Sequence, residues 1–119
     1  MTATELLRWQ WDGYSRYHQS RANLLLHIFV VPLFLVGNIA LVAGLVAQWW
    51  AVAIVGAGAM IVSVVLQGRG HGKEENPAVP FASPVNAVSR IFLEQWINFP
   101  RFVLSGGWLR AWKAASVRA

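Results

Sequence analysis

Two apolar runs, with no Lys or Arg anywhere between Leu24 and Gly68, constrain this chain more than any other feature. The first, Leu24 to Val46, reads LLLHIFVVPLFLVGNIALVAGLV and carries no fixed charge. A helix needs roughly 20 apolar residues to cross a bilayer core, and this run is long enough. The second, Ala51 to Leu66, reads AVAIVGAGAMIVSVVL, slightly shorter and rich in small residues. Only AQWW separates the two, so they have to fold back on each other as a helical hairpin. Gly56, Gly58 and Ala59 let the second run approach a neighbouring helix closely. Pro32 predicts a kink in the first, because its ring lacks an N–H and crowds the preceding turn.

Composition agrees with lipid rather than water as the surroundings. Hydrophobic residues make up 56% of the 119 and charged residues 13%, against about 25% charged in a soluble domain. The expected fold is an all-α membrane protein, a two-span transmembrane helical hairpin with amphipathic interfacial helices at both ends. On length it is one domain, 1–119. An N-terminal amphipathic segment, as one helix or two short ones, occupies 1–23. The hairpin occupies 24–67, a polar loop 68–85, and amphipathic C-terminal helices 86–119. Trp9, Trp11, Tyr14 and Tyr17 suit the headgroup level, and no small-residue cleavage site marks a signal peptide. Val88, Ile91, Phe92, Trp96, Phe99 and Phe102 lie on or near one face of a helix from Asn86 to Leu104, which Pro100 is expected to break.

The net charge of +5 comes from ten cations, all on the two flanks. That distribution predicts both termini in the cytoplasm. The expected location is the bacterial cytoplasmic membrane, or the endoplasmic reticulum in a eukaryote. The cations form no basic stripe with interleaved aromatics, which argues against nucleic acid and for membrane lipids as partners. A two-span unit is thin, and a homodimer is a further expected partner.

The polar residues converge. His27 lies in the first turn of the first span, and His71 just past the end of the second. An antiparallel hairpin makes these neighbours at one membrane boundary. His18 lies about two and a half turns before His27 along a continuous helix, or closer if the chain bends near Ser20. Asn23 shares a face with His27 at i,i+4. Glu74 at i,i+3 and Glu75 at i,i+4 each share a face with His71. Polar side chains within a span are costly and usually have a role. With no cysteine in the chain, a metal has only nitrogen and oxygen ligands. Imidazole with carboxylate suits iron(II), zinc or manganese. No nucleophile elbow, phosphate loop, dinucleotide fingerprint or HExxH zinc motif is present.

At these residues the sequence resembles the family of fungal iron(II)-dependent 2-hydroxy fatty acid dioxygenases, which serve alpha-oxidation in phytosphingosine breakdown. The matching stretches are YHQSRANLLLHIFVVP and QGRGHGKEENPA, within roughly residues 14 to 78. They carry His18, Asn23, His27 and Pro32, then Gln67, Gly70, His71, an acid and Pro77. The stretch from Gly-His to Pro-Ala is shorter than the family's, which leaves the acid's register open between Glu74 and Glu75. The tail, EQWINFPRFVLSGGW, looks like a bacterial branch. The resemblance implies iron(II) on His18, His27 and His71, with Glu74 or Glu75 as ligand or orienter. It also implies dioxygen and a 2-hydroxy fatty acid, cut to the acid one carbon shorter. Asn23 and Gln67 are the expected orienters of the ligands, and Arg16, Arg21, Arg69 and Lys73 the expected cations for the substrate carboxylate. Two other classes fit the residues: a non-catalytic membrane scaffold packing through Gly56 and Gly58, and a zinc-dependent lipid hydrolase.

Overall fold

The computed structural model describes residues 1–118, all of whose regular elements are helical. Thr2 caps α1 (Ala3–Gly13), its hydroxyl accepting from the Glu5 N–H at 3.2 Å and satisfying one free donor of the first turn. The chain tightens into a 3-10 turn at Tyr14–Tyr17. Ser20 then caps α2 (Arg21–Val46), accepting from the Asn23 N–H at 3.4 Å. The N-terminal segment is therefore two short helical pieces, and the first long helix starts at Arg21 rather than Leu24.

α2 has 26 residues, about 39 Å at the α-helical rise, and continues through Pro32. Gln48 turns the chain with a left-handed φ of 58°, and α3 (Trp50–His71) follows. Both helices are long and apolar enough to cross a membrane. Their contacts pair late residues of α2 with early residues of α3. A Cβ on Gly44 would lie 2.5 Å from the Ala53 nitrogen, and one on Gly56 would lie 2.5 Å from the Gly37 carbonyl oxygen. Further along, the Ser63 hydroxyl donates to the Val30 carbonyl, and Asn23 packs over Gly70. Gly58, expected to share this close approach, faces open space instead. The outward faces are apolar: Phe29, Val36, Ile54 and Val55 are each at least 66% exposed.

α3 runs on to His71, so Gly68 to His71 is helical and the connecting loop covers only 72–83. Ser83 caps α4 (Pro84–Leu93), with Pro84 in the first turn, where its missing N–H is not needed. A π-turn (Glu94–Asn98) and α5 (Phe99–Leu104) extend α4 without a break. Pro100 does not end the helix. It cannot donate to the Trp96 carbonyl one α-turn back, and the wider turn forms there, closed by the Phe99 N–H on the Glu94 carbonyl.

Gly106, at φ +82°, reverses the chain into α6 (Gly107–Arg118). Ala119, the end of the expected C-terminal segment, lies outside the described residues. α6 clamps the start of α2. The Trp108 indole donates to the Leu24 carbonyl at 2.9 Å, and the Arg21 guanidinium sits 4.4 Å over the Trp112 ring. Tyr14, Leu24, Val31, Phe99 and Phe102 form the buried cluster beneath. The apolar core therefore lies at the α2 N-terminus, where the 3-10 turn, the π-turn and α5 meet.

The close approach of α2 and α3 predicts opposite outcomes at two nearby glycines. Gly56→Val should lower stability by about 1–3 kcal/mol through overpacking. Gly58→Ala should raise it by about 0.5 kcal/mol, by removing a flexible residue from a helix interior. Thermal unfolding in detergent checks both.

Candidate metal centre

Four side chains from four elements meet at the mouth of the paired helices. His18 follows the 3-10 turn, His27 sits one turn into α2, His71 ends α3, and Glu94 opens the π-turn. One ligand atom from each falls within 4.8 Å of all the others. The three rings pack edge to face, with centroids 4.8 to 5.1 Å apart.

The backbone sets which nitrogen each ring offers. His18 Nδ1 lies 2.7 Å from the Tyr14 carbonyl, and His27 Nδ1 lies 2.9 Å from the Asn23 carbonyl. A carbonyl only accepts, so both Nδ1 atoms carry the proton and both Nε2 atoms present a lone pair inward. His18 Nε2, His27 Nε2 and His71 Nδ1 are all buried without a hydrogen-bond partner. Buried polar atoms are rarely left so.

Glu94 Oε1 is 3.5 Å from His18 Nε2 and 3.7 Å from His27 Nε2. Those distances exceed a hydrogen bond to a ring nitrogen, which ends near 3.2 Å. They approach the edge of about 3.4 Å between tetrahedral ligands of an ion with bonds of about 2.1 Å. Three imidazole nitrogens and one carboxylate oxygen, without sulfur, form a donor set for zinc, iron(II) or manganese. The residues thus fit a divalent ion at the centre.

Burial alone would raise the Glu94 carboxyl. When His18 and His27 are protonated, their charge outweighs it and holds Glu94 well below the usual carboxylate range. Tyr14 completes the setting. Its hydroxyl donates to Glu94 Oε1 at 3.1 Å, and its ring stacks on His18 at 3.9 Å. Burial first, then the Glu94 charge, raises the Tyr14 phenol well above its ordinary value, so it remains a donor.

The expected acids take other places. Both oxygens of Glu74 are spent at the α2 N-terminus, on the N–H groups of Gln19 and Ser20 and on Asn23 Nδ2, at 2.8 to 3.1 Å. This carboxylate caps a positive helix end and lies outside the cluster of His18, His27, His71 and Glu94. Glu75 is exposed. Glu94 was not foreseen, although it is the only acid after Glu75 and interrupts the apolar stretch RIFLEQWINF. Tyr14 was read only as an interfacial ring.

The expected orienters also act differently. Asn23 serves His27 through its backbone carbonyl, while its side chain holds Glu74. Gln67 meets no histidine. It exchanges amide hydrogen bonds of 2.9 and 2.8 Å with Gln95 and donates to Ser63. That buried pair locks the π-turn to α3 beside Glu94.

A cavity of about 390 Å³ reaches the centre through Tyr14, His18, His71 and Glu94. Trp9, Tyr17, Val79, Phe81 and Ile91 give it apolar walls, and Arg16 and Arg90 face it together with the carboxyl groups of Asp12 and Glu94. Of the cations expected to meet a carboxylate, only Arg16 lines it. Arg21 is stacked on Trp112, and Arg69 and Lys73 are exposed elsewhere. No family model, curated protein or solved structure matches this chain. The chemistry therefore rests on the geometry above.

That geometry separates the roles of two acids and a tyrosine. Glu94→Gln should lower affinity for a divalent metal by about 100-fold, and Glu75→Gln should leave it unchanged. Tyr14→Phe should weaken it by about tenfold through loss of the orienting hydrogen bond. Metal content of the purified variants, measured by mass spectrometry against added chelator, checks all three.

Proposed function

We propose that this chain is an integral membrane, non-haem iron(II) dioxygenase that converts 2-hydroxy fatty acids to acids one carbon shorter. The observation that carries the reading is the inward set of three partnerless ring nitrogens beside Glu94, opening on an aromatic cavity that also holds Arg16 and Arg90. The stretches that resemble the 2-hydroxy fatty acid dioxygenases supply His18, His27 and His71 to this set. Glu94, from outside those stretches, is the carboxylate.

α2 and α3 form the two spans of a transmembrane hairpin. Only 28% and 22% of their most apolar windows are buried within the protein. A core helix of a soluble domain would hide far more, and lipid is the partner that covers such faces. The flanking cations place both termini in the cytoplasm. The centre then lies near that surface, where an amphiphile can present its carboxyl end while its chain stays in apolar surroundings.

The three histidines and Glu94 would hold iron(II), which would supply the electron-transfer chemistry toward dioxygen that these side chains lack. The protein's own groups do the rest. The carbonyls of Tyr14 and Asn23 keep two imidazoles in the ligating tautomer. The Tyr14 hydroxyl keeps Glu94 turned toward them. Packing of Phe99 and Phe102 around His27 and His18 excludes water from one side, leaving the cavity as the approach. The overall change balances without an external reductant. C2 goes from alcohol to carboxylic acid, C1 leaves as carbon dioxide, and dioxygen takes up all the electrons, ending in the new acid, the carbon dioxide and water.

Purified protein in detergent, given iron(II), air and 2-hydroxypalmitic acid, should form pentadecanoic acid, detected by mass spectrometry. His27→Ala should lose bound metal and reduce the rate by about 100-fold or more. Zinc as the bound metal with no oxygen-dependent product would overturn the reading in favour of hydrolysis. Absence of any bound metal would overturn it in favour of a scaffold.

A further inference from the structure

Arg90 is a cation in the wall of the cavity that makes no direct ion pair. The ion pairs among the described residues join His18 and His27 to Glu94, and no carboxylate comes within 4.0 Å of the Arg90 guanidinium. Its side chain is only partly exposed, and it lies between two rings, 5.1 Å from the centroid of Trp9 and 4.5 Å from that of Phe81. Nη1 donates to the Pro80 carbonyl at 3.1 Å and Nη2 to the Val79 carbonyl at 2.8 Å. The Arg90 carbonyl in turn accepts from Gln10 Nε2 at 2.8 Å. The guanidinium is therefore fixed in place before any ligand arrives, and it carries more N–H donors than these two acceptors use.

Its placement relative to the centre follows from the helix. Arg90 and Glu94 are spaced i,i+4 and share a face, about 6 Å apart along the axis. Arg90 and Arg16 are the two cations among the cavity's lining residues. Arg16 is exposed, and its guanidinium reaches 5.9 Å from the Tyr17 ring, a looser setting. Burial lowers the Arg90 pKa, and the charge of Glu94 one helical turn away opposes that only in part. A planar fork held this way matches a carboxylate in two-point fashion.

We propose that Arg90 is the anchor for the carboxylate of an anionic amphiphile, with the acyl chain leaving the cavity over Trp9, Val79 and Phe81. This rests on the cavity being the substrate site, and it names the group that selects a free acid. Trp9, Val79 and Phe81 are 37%, 38% and 52% exposed, so the apolar path leads outward. A head group gripped by Arg90 stands one helical turn from Glu94, which brings the adjacent carbons toward the ring nitrogens.

The test is equilibrium binding of 2-hydroxypalmitic acid and of its methyl ester to the full chain in detergent, without oxygen, by titration calorimetry. The wild type should bind the acid about tenfold tighter than the ester, the scale of one charge-assisted interaction. Arg90→Gln should bind both alike, and Arg16→Gln should keep the preference. Equal binding of acid and ester by the wild type overturns the anchor, as does a preference retained by Arg90→Gln. If Arg90→Gln fails to fold, Arg90→Lys is read instead. Losing the planar fork should cut the preference about threefold or more, and an unchanged preference overturns the proposal. Acid-selective binding without any one-carbon-shorter product keeps the anchor and sinks the dioxygenase. Product without acid-selective binding does the reverse.

Discussion

Three imidazoles, two buried and His71 partly so, pack against one another with their inward nitrogens buried and unmatched by any donor, and the rest of the molecule is arranged around them. Each unmatched atom gives up its hydrogen bonds to water and gains none in return, a cost of about 1–3 kcal/mol apiece. An ionised Glu94, 3.5 and 3.7 Å away, is itself an acceptor and does not repay this cost. A divalent ion would satisfy all four groups at once. Without one, the local electrostatics rest on Tyr14, which lends a hydroxyl to the carboxylate and a flat ring to His18.

Rigid support comes from polar contacts placed just behind the ligands. Glu74 ties the α2 N-terminus to the loop after α3, so His18, His27 and His71 are held to one frame. The Gln67–Gln95 pair and Ser63 tie the π-turn to α3 and α2. The Trp96 indole reaches Asn38 at 3.1 Å, and Phe92 meets the Phe34 ring at 5.4 Å. The helix bearing Glu94 is thus fastened well up α2, and its ligand position follows the paired helices.

Much of this was legible in the sequence, and the rest was hidden for definite reasons. Apolar runs without charge report long helices directly, because only helices satisfy their backbone over such lengths. The short AQWW connection forced residues near His27 and His71 together, and His18 followed from its proximity in sequence. Spacing on one helix face pointed to Glu74 and Glu75, while the carboxylate beside the three histidines comes from a distant helix. A carboxylate near a helix N-terminus has a competing use as a cap, and Glu74 took it. The π-turn left no trace except Pro100, which shows where a helix is disturbed but not how it recovers.

That π-turn carries a consequence for how such a chain tolerates changes in length. Its extra residue lets Glu94 face the histidines, Gln95 face Gln67, and Asn98 reach Gln10 and the Leu7 carbonyl, all from one short stretch. Removing one residue between Phe92 and Phe99 would restore an ordinary α-turn and let the helix on either side keep its register. Glu94, Gln95 and Asn98 could then no longer all keep their present partners. The 72–83 loop beyond Glu74 is a stretch where length can change without moving His18, His27, His71 or Glu94.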